Sequence, residues 1–102
     1  MAIQNTTLTT SAASIYTSSG NNVTSTIHLC NFTNAAVTAN LFAVPSGGSA
    51  GNATIIYSNV SITAYNTLII NQEKFLLTTG DAVFANCSAA NSITATVSYI
   101  GI

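Results

Sequence analysis

Ser92-Ile93-Thr94-Ala95-Thr96-Val97-Ser98-Tyr99-Ile100-Gly101-Ile102 alternates apolar and hydroxyl-bearing residues one for one between Ile93 and Tyr99. A period of two puts Ile93, Ala95, Val97 and Tyr99 on one face of an extended strand. Thr94, Thr96 and Ser98 fall on the other. A helix, with its period of 3.6, cannot sort these residues that way. The stretch therefore reads as a strand with one face on a core and the other turned outward.

Working back from it, similar runs recur with turn residues between them. Residues 82–88 place Val83, Ala85 and Cys87 on one side and Phe84 on the other. Residues 37–44 place Val37, Ala39, Leu41 and Ala43 on one face, with Phe42 and Val44 making the second face partly apolar. In 23–32, Val23, Ser25, Ile27 and Leu29 are expected to face one way, and Thr24, Thr26, His28 and Cys30 the other. Shorter strands are expected at 12–17, 54–57, 60–63, 67–71 and 75–78. Gln72-Glu73-Lys74 reads as a turn tip. The polar, Thr-rich segment 1–11 reads as a flexible N-terminal arm or an edge strand, ahead of a single domain over 12–102. No capped segment of helical period is found.

About eight short strands with turns between them indicate an all-β antiparallel β-sandwich, jelly-roll or immunoglobulin-like. Composition agrees. Thr is β-branched and suits strands. Asn, Ser and Gly suit turns, and the usual helix formers are scarce. Periodicity does not choose between the two topologies. Cys30 and Cys87 are spaced like the cysteines of the immunoglobulin disulfide, but the chain has no Trp and Ala85 stands where that pattern needs Tyr. Two reduced thiols are the simpler reading.

Charge is what the chain lacks. Only 3% of its 102 residues are charged, namely Glu73, Lys74 and Asp81. An ordinary domain carries about a quarter. Such a surface has little to keep copies apart or to hold off other proteins, and suits a chain covered by neighbours. One Lys and no Arg leave no footprint for nucleic acid or for an anionic membrane. No apolar stretch approaches the roughly 20 residues of a membrane helix. The first residues show neither the basic nor the apolar part of a secretory signal.

Chemistry has few candidates. His28 is the only His and lies mid-strand, as a surface or interface residue. Glu73 and Lys74 read as an exposed turn, and Asp81 follows Gly80 in another. No base stands beside a nucleophile in the pattern, no Cys or His pair has metal-ligand spacing, and Gly47-Gly48 has no Lys for phosphate. The chain is expected not to be an enzyme, and no residue is assigned to a catalytic, cofactor or metal site. Tyr16, Tyr57, Tyr65 and Tyr99 are the candidates for contacting carbohydrate.

A set of segments in order carries a resemblance. These are Ser14-Ile15-Tyr16-Thr17-Ser18, Thr26-Ile27-His28-Leu29-Cys30-Asn31, Val44-Pro45-Ser46-Gly47-Gly48-Ser49-Ala50, Ile56-Tyr57-Ser58-Asn59-Val60-Ser61-Ile62, Glu73-Lys74-Phe75-Leu76-Leu77 and Ala95-Thr96-Val97-Ser98-Tyr99-Ile100-Gly101-Ile102. From Ala12 onward the chain resembles small β-sandwich virion structural proteins of tailed bacteriophages. The resemblance implies a non-enzymatic particle component without cofactor. It would be a capsid decoration or cement protein on the major capsid protein, made in the host cytoplasm and often a homotrimer. A tail, baseplate or fibre module, or a receptor- or glycan-binding module on the virion, are the alternatives it leaves.

Overall fold

Among the described residues, strand-forming sequences separated by turn residues fold into nine strands. The computed structural model describes residues 2–71 and 75–101. The strands are β1 (Ala2–Thr7), β2 (Ala13–Thr17), β3 (Asn22–Asn31), β4 (Val37–Val44), β5 (Ile55–Ile62), β6 (Thr67–Ile70), β7 (Leu76–Leu77), β8 (Ala82–Cys87) and β9 (Ile93–Gly101). One sheet has the order β1-β9-β3-β6, with β7 also on β3; the other has the order β2-β8-β4-β5. Every pairing is antiparallel.

This order decides the topology. β9 occupies one edge of β3 along its whole length, from Asn22 to Asn31. β6 and β7 therefore share the opposite edge, β7 at Asn22–Val23 and β6 at Ile27–Cys30. Together they act as one interrupted strand, and the molecule is an eight-stranded jelly roll built as two four-strand sheets. Of the strands adjacent in sequence, only β4 and β5 pair directly. An immunoglobulin sandwich instead pairs several sequence neighbours within its sheets.

The alternating residues fill the space between the sheets. Ile93, Ala95 and Val97 of β9 meet Ile27 and Leu29 of β3, and face Val37, Ala39 and Leu41 of β4 with Val83, Ala85 and Cys87 of β8. Phe42 and Val44 are buried but outside that cluster. They pair across the outer face with Phe84 and Ala82.

Four sequence expectations need correcting or completing. Over its described residues the 1–11 segment takes the second of its two expected forms, an edge strand and not a flexible arm. β1 runs beside β9 from Ala2↔Tyr99 to Thr7↔Thr94, and Leu8 is buried in the core. Its Thr-rich sequence suits a strand, and its polarity reflects an edge position. In β3 the register shifts between Thr24 and Thr26. One extra residue reverses the faces there. Thr24 is buried, and Val23 lies outward in a row with Ile100 and Leu76. The two strands expected around 54–63 are one, β5, with an irregularity where Asn59 takes a φ of 50°. The turn expected at Gln72-Glu73-Lys74 lies outside the described residues.

Candidate interaction surface

Asp81 is the one formally charged side chain among the described residues. Its carboxylate is spent inside the molecule. Oδ1 accepts from the Ser46 N–H at 2.9 Å, and Oδ2 accepts from the Thr78 N–H at 3.1 Å and the Thr78 hydroxyl at 3.0 Å. Those bonds, the Thr78 backbone donor first, hold its carboxyl below the usual carboxylate range. Asp81 thus ties the 45–48 loop to the turn before β8; the Gly80-Asp81 sequence indicated the turn and not the tie. Gly80 itself has a φ of 91°.

The other residues singled out in the sequence are scattered. His28 and Cys30 lie on the outer face of the first sheet, opposite Thr96 and Thr94. Ile69 and Thr67 flank them on β6. Cys87 points the other way, into the core. Its thiol donates to the Ala89 carbonyl at 3.0 Å, and burial pushes its pKa up. Both cysteines are free. Among the described residues, no three His, Cys, Asp or Glu side chains gather where a metal ion would sit. No buried side-chain N or O atom there lacks a hydrogen-bond partner. Nothing in this set aligns a base with a nucleophile.

The tyrosines divide. Tyr16 is buried and its ring lies 4.3 Å from that of Tyr99, centroid to centroid, tilted by 33°. Tyr57 and Tyr99 pack against the core. Burial pushes the Tyr16 hydroxyl pKa up. Tyr65 alone is open, 70% exposed, at a φ of 59°. It belongs to the same end of the sandwich as the exposed Phe32, since the Tyr65 N–H donates to the Thr33 carbonyl at 3.1 Å.

Asn31, at the end of β3, explains why that end is ordered. It is fully buried. Its Nδ2 donates to the carbonyls of Ala35 at 2.8 Å, Ile62 at 2.9 Å and Thr63 at 3.3 Å. Its Oδ1 accepts from the Thr33 N–H at 3.0 Å and the Thr33 hydroxyl at 2.7 Å. One side chain therefore fastens the loop carrying Phe32 to the turn carrying Tyr65. The sequence placed Asn31 near the end of the 23–32 strand. Its role as a buried hub had no signal, because every neighbouring loop is also rich in Asn and Thr.

At the opposite end, a cleft of about 420 Å³ opens between Val44, Pro45, Phe75, Leu76, Leu77 and Ala82, with Asp81 on its wall. Along the outer faces Ile3, Ile69, Leu76 and Ile100 stay exposed among Thr, Ser and Asn. The outside is thus a mosaic of apolar and uncharged polar groups, able to lie against protein at little desolvation cost. Comparison with protein-family models, with curated proteins and with solved structures finds no match.

Proposed function

We propose that this protein is a non-enzymatic structural component of a bacteriophage particle, a capsid decoration or cement protein that binds the major capsid protein and strengthens the head. The observation that carries the reading is the outer surface. The single described charge is bonded internally, while apolar side chains remain open on both a sheet face and the loops. A protein of this kind gains by being covered, which a shell provides. The resemblance of its segments to virion structural proteins supplies the setting. The same surface favours self-association; the resemblance is the sole support for a trimer. Tail, baseplate and fibre positions share the chemistry and differ in number. Quantitative mass spectrometry of purified particles, with a labelled chain located by electron microscopy, tests the reading. Many copies spread over the head are expected. A few copies at one vertex or on the tail overturn decoration.

A second reading, a glycan- or receptor-binding module on the particle, is favoured by Phe32 and Tyr65. Two open aromatic side chains stand at one end, on loops fastened by Asn31 and lined with Asn and Thr. Aromatic faces with amide and hydroxyl groups beside them suit sugar rings. A glycan array probed with the whole protein decides it, with binding lost in Tyr65→Ala.

A further inference from the structure

A sandwich has four open edges, and three of these are broken. β2 carries a register shift between Ser14 and Tyr16, and the Ile15 carbonyl there accepts from Gln4 Nε2 at 3.0 Å. β5 is interrupted by register shifts against β4, and the Asn59 N–H is taken by Asn40 Oδ1 at 2.7 Å. β6 and β7 have four and two residues. Short strands and bulges are the usual ways of stopping an edge from recruiting another chain.

β1 has none of them. Its six residues, Ala2–Thr7, pair with β9 without a register shift. They include no charge and no Pro, and Ile3 is 66% exposed. One unbroken, uncharged edge beside three interrupted ones marks β1 as an edge left open for a strand.

We propose that this strand is β1 of a second copy, added antiparallel about a two-fold axis normal to the sheet. A two-fold needs only one self-matching edge, and β1 is regular from end to end. The other way to extend this sheet, β1 against the β6/β7 edge of a neighbour, meets an edge split into four and two residues. The axis also fixes the register class. Gln4 and Thr6 lie opposite the buried Val97 and Ala95, so they face the core; Ile3, Asn5 and Thr7 lie opposite Ser98, Thr96 and Thr94, outward. In a continuous sheet the outward set of one copy meets the outward set of the other. The registers that pair more than three residues of Ala2–Thr7 then bring residue 3 of one copy opposite residue 5 of its partner, or residue 5 opposite residue 5. The pairing is an interface of this chain with itself and does not depend on where a particle would carry it.

Sedimentation equilibrium of the purified full chain tests this, alongside the double variant Ile3→Lys/Asn5→Lys. Both side chains are exposed, so the fold should persist, as far-UV circular dichroism will show. The wild type should be a dimer whose dissociation constant rises at least about tenfold in the variant, because like charges are placed opposite each other. Amide exchange over residues 2–7 should slow as wild-type concentration rises and be insensitive to concentration in the variant. A monomeric or trimeric wild type overturns the proposal. So does a dimer that survives both lysines, and so does a monomer whose β1 amides become protected only on added phage heads, which would give the edge to a shell-protein strand.

Discussion

The Asn31 side-chain amide donates to the Ile62 carbonyl at 2.9 Å, joining the end of β3 in one sheet to the end of β5 in the other. It is a sheet-to-sheet link made through one buried polar side chain. It lies where the two loops most exposed in aromatic surface leave the sandwich.

Asn31→Ala should therefore be costly. It strands the Ile62 carbonyl and the Thr33 N–H at once, while the exposed Ala35 carbonyl keeps the Thr33 hydroxyl. A buried polar group left unpaired costs about 1–3 kcal/mol, so a loss of about 2–4 kcal/mol is expected, read as the midpoint shift in urea unfolding at unchanged slope. Asn31→Asp keeps the shape and the acceptor but replaces the donating amide by a charge, and should fare no better.

The strand content was legible because most strands bury one face. Ile93, Ala95 and Val97 are all fully buried, and β4 lies at the expected 37–44. The fold class followed from such alternation. What was not legible was where alternation breaks. At Ser25 a bulge turns Val23 outward and Thr24 inward, where the Phe75 N–H donates to Thr24 Oγ1 at 3.1 Å. A hydroxyl that finds a partner can be buried, and composition does not announce the partner. β1 was legible only as an alternative to an arm, for the opposite reason. As an edge strand exposed over much of its length, it needs no apolar face, so its sequence resembles that of a loop. The interaction surface was legible only as an absence of charge, since the strand order that creates its edges is set by long-range pairing.

Asp81 gives the molecule an acid limb. Its carboxyl is held below its ordinary value by the Thr78 and Ser46 backbone donors. A depressed folded value means the contribution is present above the unfolded-state pKa of about 3.9 and is lost as pH falls through the folded one. Thermal midpoints recorded from neutral pH downward should hold steady and then fall below about pH 4. In Asp81→Asn the neutral-pH midpoint should be lower and the fall shallower. An equally steep fall in the variant would assign the acid limb to another group.

Gly80 should not tolerate a side chain. Its φ of 91° is unfavourable for any other residue, and a Cβ there would come within 2.9 Å of Ser46 Cβ. The clash would press on the loop that Asp81 holds. Gly80→Ala should cost about 1–3 kcal/mol, measured by chemical denaturation. Gly20→Ala, where nothing lies within 4 Å of the added carbon and φ is not positive, is the control and should change little.

The two thiols should differ in reactivity. Cys30 is half-buried on an outer face, whereas Cys87 is buried with its pKa raised by desolvation. The thiolate is the reacting form, so alkylation of Cys87 requires the sandwich to open. Brief iodoacetamide treatment at mildly alkaline pH, followed by peptide mass spectrometry, should label Cys30 well before Cys87. Labelling should become equal in denaturant. Equal rates in the native protein would mean that the β8 end opens readily.

Tyr65 separates stability from function. A non-glycine residue at a φ of 59° costs its turn free energy, and at 70% exposure its ring returns little through packing. Its backbone is nevertheless fixed, with its N–H on the Thr33 carbonyl. Tyr65→Gly keeps that bond, relieves the strain and removes only an open ring. Folding stability should rise by roughly 0.5–1 kcal/mol, offset in part by the greater freedom of glycine in the unfolded chain. A loss of stability would show that the ring supports the Phe32 loop. With stability held or raised, any binding lost in Tyr65→Gly, whether to a glycan or to a head, is chargeable to the ring itself. Tyr65→Phe then distinguishes an aromatic face from a hydroxyl, since only the first survives that change.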